Sequence, residues 1–163
     1  MYGARHASTH TPSSARPGKI SDELWEGFGR VGFPLATTAL SHRSLIEVYP
    51  HPALIELATA ERRLPYKASK IRKYWPDDKP DIRRQKLFEV WTGIVTLLDA
   101  RIRGVAALLP SPSFAAAGYE MKAYEDRLDA VVCAWVGACA LDNRARTYGD
   151  ERSAISVPTV APL

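Results

Sequence analysis

Apolar positions recur at steps of three and four in one long stretch: Leu87, Trp91, Ile94, Leu98 and Ile102, widened by Val90, Val95 and Leu97. That spacing predicts an amphipathic helix from about Asp81 to Arg103, ended by Gly104 and Pro110-Ser111-Pro112. A second helix is predicted from about Met121 to Arg144, and its middle, Ala130 to Leu141, is apolar on every side. Such a helix is expected to be buried around most of its circumference. Its small residues, Ala130, Ala134, Gly137, Ala138 and Ala140, would let it pack closely on a sheet. Ser21 or Asp22 can cap a short helix from Asp22 to Gly29, with Leu24, Trp25 and Phe28 as its apolar side. Ser44 to Tyr49 reads as a buried strand stopped by Pro50 and Pro52, and Pro52 to Thr59 as a helix. Ala154 to Val157 reads as a second strand ended by Pro158, after a turn at Thr147 to Asp150.

The first nineteen residues have no periodicity and are rich in Ser, Thr, Pro, Arg and His; a flexible segment is expected there. Residues 20–158 then form one domain and 159–163 a tail. His6 and His10 stand four apart, a metal-binding spacing on a helix, but a solvated tail is the plainer reading. Two short strands are too few to cover a helix buried on all sides, so further strands of this chain that the pattern does not reveal, a partner chain, or an N-terminal half is expected to supply the cover.

Composition sets the frame without naming a function. The 163 residues are 46% hydrophobic and 25% charged, as in an ordinary globular domain. No apolar run is long enough for a bilayer and no secretory h-region opens the chain, so a cytoplasmic protein is expected. Cys133 and Cys139 lie six apart on one predicted helix, too far to bridge each other, and read as reduced thiols. The net charge of +4 is uneven. Arg62 to Lys86 holds ten Lys or Arg against three Asp, a local +7, which leaves −3 for the rest.

That basic stretch is interleaved with Tyr66, Tyr74 and Trp75. Cations can take phosphates and aromatic rings can stack on bases, so nucleic acid is the expected partner. Lys67, Lys70, Arg72 and Lys73, with His51 nearby, are the candidate substrate-binding residues. The plain alternative is a solvated face with snorkelling side chains.

Carboxylates entering apolar elements are the other chemical signal. Glu47 lies inside the strand-like run Leu45-Ile46-Glu47-Val48-Tyr49, where a charge is costly unless paired or metal-bound. Glu125, Asp126 and Asp129 share a helix face at the mouth of the apolar helix. Glu125 and Asp126 fall in its first turns, where the helix dipole alone favours negative charge, so Asp129 is the stronger candidate. Carboxylate oxygens suit Mg²⁺ or Mn²⁺, which in pairs about 3.5–4 Å apart support phosphodiester cleavage.

Leu45 to Ala53, Leu64-Pro65-Tyr66-Lys67, Glu125 to Trp135, and Tyr148-Gly149-Asp150 with Ile155-Ser156-Val157-Pro158 together resemble domain-of-unknown-function family 429. The resemblance runs over roughly residues 16–158. It implies an α/β, ribonuclease-H-like fold and a metal-dependent nuclease using Mg²⁺ or Mn²⁺. Glu47 and Asp129 would be catalytic metal ligands, with Asp126 a third ligand or a neighbour. The family's first strands, which carry an early Asp and a second acidic position, have no counterpart here. The resemblance therefore implies a helix-rich C-terminal portion, completed by an N-terminal half or a partner chain and lacking half the acidic cluster by itself. A non-catalytic module that binds nucleic acid or another protein is the alternative.

Overall fold

The computed structural model describes residues 20–38, 43–151 and 153–159. The expected flexible segment, with His6 and His10, lies outside them, as do residues 160–163.

The chain is mixed α/β and helix-rich. α1 spans Ile20–Arg30, α2 Pro50–Ala58, α3 Ile71–Tyr74, α4 Pro80–Asp99, α5 Val105–Leu108 and α6 Gly118–Leu141. A 3-10 turn, Ala68–Lys70, precedes α3. β1, Ala145–Gly149, and β2, Ala154–Pro158, pair antiparallel, with Ala145 opposite Pro158 and Gly149 opposite Ala154. No described helix is long and apolar enough to cross a membrane.

α4 begins where Pro80 supplies a ready-made φ and lacks an N–H that would go unpaired anyway. Its expected stripe is buried: Leu87, Trp91, Ile94, Val95 and Leu98. The helix stops at Asp99 rather than Arg103, because the Asp99 carboxylate accepts the N–H groups of Gly104 and Ala106, at 3.0 and 2.9 Å. Gly104, at φ 97°, then turns the chain into α5.

α6 starts three residues earlier than expected, with the Ala117 N–H held by the Glu120 carboxylate at 2.6 Å. It ends at Leu141, short of Arg144, because Asn143 takes a left-handed conformation at φ 56°. The Asn143 and Arg144 N–H groups then close on the carbonyls of Ala140 and Cys139. The expectation of burial on all sides is corrected. Met121, Glu125, Leu128, Val132, Trp135, Val136 and Cys139 face inward, whereas Ala130, Ala134 and Ala138 are exposed. Alanine is apolar but small, so the sequence pattern overstated how much of the circumference needs cover.

Two strand expectations also change. Residues 44–49 form no continuous strand; Leu45 bridges Leu35 and Glu47 bridges Ile155, each in parallel. The run changes partner within two residues, and Pro50 starts α2 at once, two residues before the expected Pro52. The expected turn at Thr147 to Asp150 is instead mostly β1, and the reversal follows it, where the Asp150 N–H donates to the Ser153 carbonyl at 2.9 Å. Cys133 and Cys139 are both free, and burial pushes each thiol upward in pKa.

The core lies between α2, α4 and α6, around Leu54, Leu57, Leu87, Trp91, Leu98, Leu128, Val132 and Val136. β2 closes it beside α2 and α6. Outside it, Leu24, Trp25 and Phe28 on α1 remain exposed.

Candidate metal centre

The buried face of α6 carries one charged residue, Glu125, only 2% exposed. It sits on the same helical period as Met121, Leu128 and Val132, so the fold carries it inward with them. The segment that follows α2 crosses this face and satisfies it. Glu125 Oε2 accepts the Ala68 N–H at 2.7 Å, which also caps the 3-10 turn. Glu125 Oε1 lies 3.2 Å from Lys67 Nζ.

One turn further, Asp129 takes the same lysine at 2.5 Å through Oδ2 and the Tyr66 hydroxyl at 2.8 Å through Oδ1. Tyr66 is fully buried, and its carbonyl accepts the Trp91 indole N–H at 2.7 Å. That bond ties the site to the core of α4. Burial, then the charge of Asp129, raises the Tyr66 hydroxyl far above its ordinary pKa, so it stays a donor. On the outer side, Asp126 pairs with Lys122, whose ammonium also lies 3.6 Å from Glu125.

Ligand oxygens of Glu125, Asp126 and Asp129 lie within 4.8 Å of one another. Three carboxylates face two ammonium groups, so the cluster keeps a negative excess. Hard oxygen donors at this spacing fit a cation such as Mg²⁺ or Mn²⁺. Lys67 stands between Glu125 and Asp129, so a metal would have to displace its ammonium group.

His51 packs edge-on against both Tyr66 and Tyr49, with ring centroids 5.1 and 5.3 Å away. Its Nδ1 is buried and has no hydrogen-bond partner. Burial first, then Arg63 and Lys67, lowers its pKa to about 4, so the imidazole is neutral at pH 7.

The residues singled out from the sequence divide into three places. Asp129 and Asp126 belong to the cluster, and His51 borders it through Tyr66. Lys67, expected to bind substrate, is the cation of the carboxylate pair, whereas Lys70, Arg72 and Lys73 are exposed on the 3-10 turn and α3. Glu47 is not among the three clustered carboxylates; its carbonyl accepts the Ser156 N–H at 2.8 Å, which joins its segment to β2. Sequence reasoning placed Glu125 second to Asp129 and left Tyr66 out of the site. Glu125 had a signal, since its place on the buried period costs far more than a helix dipole returns.

The family model described as Protein of unknown function (DUF429) matches residues 5–153. No curated protein and no solved structure matches the chain.

Proposed function

The chain belongs to this family of unknown function, and on that premise we propose that it is a metal-dependent nuclease module built on part of a ribonuclease-H-like domain. The observation that carries the reading is the convergence of Glu125, Asp126 and Asp129 beside a basic, aromatic-bearing segment. Mg²⁺ or Mn²⁺ held there would activate water and stabilise a leaving oxygen. Glu125 and Asp129 would hold the ion, Asp126 would complete the set from the exposed side, and Tyr66, which donates to Asp129, would orient that carboxylate. Glu47, on a different element, is a further candidate ligand. Lys70, Arg72 and Lys73 take the phosphate backbone.

Titration of the full chain with Mn²⁺, followed by cleavage assays on labelled RNA and DNA, tests this. Saturable binding and cleavage that fall in Glu125→Gln and Asp129→Asn are expected, with Glu47→Gln reporting on the third element. Cleavage unchanged in all three variants sinks the site.

Lys67 favours a second reading, because it already neutralises Glu125 and Asp129 as a structural ion pair would. On that reading the chain binds nucleic acid without cutting it. Binding that weakens steeply with salt, yet survives EDTA and the loss of both carboxylates, distinguishes it.

A further inference from the structure

Beside the carboxylate cluster lies a cavity of about 470 Å³ between the 3-10 turn, α3 and the first turns of α4 and α6. Its volume is in the range that holds a small molecule. Ile71, Pro80 and Met121 make its wall mainly apolar; Arg72, Arg83, Arg84 and Lys122 also line it, Lys122 with its charge already paired by Asp126 and Glu125.

Two of those cations are held in an unusual way. Arg83 donates through Nε to the Trp75 carbonyl at 2.8 Å and through Nη2 to the Pro76 carbonyl at 2.6 Å. Arg84 donates through Nη1 to the carbonyls of Phe114 and Ala116, both at 2.7 Å. Carbonyls fix a guanidinium in place but carry no net charge, so they leave its positive charge uncompensated. Among the described residues, no carboxylate pairs with Arg83 or Arg84, whereas Lys67, Lys86, Lys122 and Arg144 each have one. Most of their N–H donors also remain unused. Rigid, uncompensated guanidinium groups match the oxygens of a phosphate. Next to them, the exposed Phe114 ring lies 6.0 Å from the Arg84 guanidinium, which adds an aromatic surface at the rim.

An inorganic anion would use the cations and waste the apolar wall; a plain apolar ligand would do the reverse. We propose that this cavity is a subsite for one unpaired nucleotide, with its phosphate on Arg83 and Arg84 and its base or sugar against Ile71, Pro80 and Met121. Ala68 and Lys122 line the cavity and also touch Glu125. The nucleotide therefore sits next to the carboxylates, and its role as part of a cleavage substrate rests on the nuclease reading. A single-nucleotide pocket selects single-stranded or frayed ends over intact duplex, whose bases are already paired and stacked.

The chain has two methionines, and Met121 is in the cavity wall. Methyl-labelled methionine therefore gives an NMR probe of the cavity, with the Met121 signal assigned through Met121→Leu. In EDTA, titration with adenosine 5′-monophosphate is expected to shift the Met121 signal to saturation. Adenosine and inorganic phosphate, titrated separately, are expected to bind more weakly than the nucleotide. Arg84→Gln should weaken nucleotide binding about tenfold, the loss expected for one charge-assisted contact. Arg72→Gln, an exposed change, should weaken it less and keeps the test valid should Arg84→Gln unfold the protein. A Met121 signal unmoved by millimolar nucleotide overturns the proposal, as does an equal response to phosphate and nucleotide. The titration uses no metal, so a saturating shift in a protein that binds no Mn²⁺ upholds the subsite while removing the metal reading.

Discussion

A carboxylate at 2% exposure, such as Glu125, is tolerated only because both of its oxygens are occupied. Glu125→Ala leaves the Ala68 N–H without its acceptor and takes one of two counter-charges from Lys67. We expect it to lower stability by about 1–3 kcal/mol. Glu125→Gln keeps an acceptor for Ala68 and should cost less. Urea unfolding gives the order, and an equal loss in both variants would mean that charge alone matters. Glu125 was legible in the sequence as a charge on an apolar period. The meeting of Tyr66 and Lys67 with Asp129 was not, because it spans 63 and 62 residues from a segment with no periodicity. His51 sets a pH effect of definite sign. Its pKa is lowered to about 4 from 6.5, so below pH 6.5 the unfolded chain binds more protons than the folded one. The neutral imidazole's contribution is complete above pH 6.5 and is lost as pH falls toward 4. His51→Gln should flatten the stability profile in that window; a profile that keeps the wild-type slope assigns the effect to another group.

At the scale of elements, the long helices were readable because Leu87 to Leu98 and Met121 to Cys139 repeat their apolar residues over several turns. Their ends were not, because Asp99 and Asn143 stop them through local hydrogen bonds and a left-handed turn that periodicity does not carry. The segment from Leu45 to Glu47 has strand-like residues but only isolated bridges, so composition gave the conformation and missed the partners. One of those bridges depends on the β1–β2 hairpin, and the hairpin depends on Gly149. A Cβ there would stand 2.0 Å from the Ser153 carbonyl oxygen and 2.5 Å from the Ala154 Cα, both backbone atoms with no freedom to swing away. Gly149→Ala is therefore expected to destabilise the protein by about 1–3 kcal/mol. Amide exchange should locate the damage. The Ser156 N–H, which bonds to the Glu47 carbonyl, is expected to exchange faster, with the α4 amides little changed relative to global stability. Protection at Ser156 equal to wild type would show that the hairpin does not hold the Glu47 segment.

Across the whole molecule, a chain of net charge +4 keeps a small negative island on the first half of α6. Lys67 is the piece of the basic segment that enters it, so a metal ion bound as proposed would compete with this ammonium group for Glu125 and Asp129. Without metal, Lys67→Met removes the shared counter-charge and leaves two neighbouring carboxylates to repel each other, so it should be less stable than wild type in EDTA. With Mn²⁺ the order is expected to narrow or invert, because the variant no longer has to expel an ammonium group before binding. A ligand that binds only the folded state adds about 2.7 kcal/mol at a hundredfold excess over its Kd, enough to offset the missing pair. Urea unfolding of wild type and Lys67→Met, each in EDTA and in Mn²⁺, completes a four-corner cycle whose interaction energy reads the competition directly. A positive coupling, with Mn²⁺ stabilising the variant more than the wild type, places the ion where Lys67 stood. Zero coupling with Mn²⁺ stabilising both equally puts the ion elsewhere, and no Mn²⁺ effect on either leaves Lys67 as the permanent partner of these carboxylates.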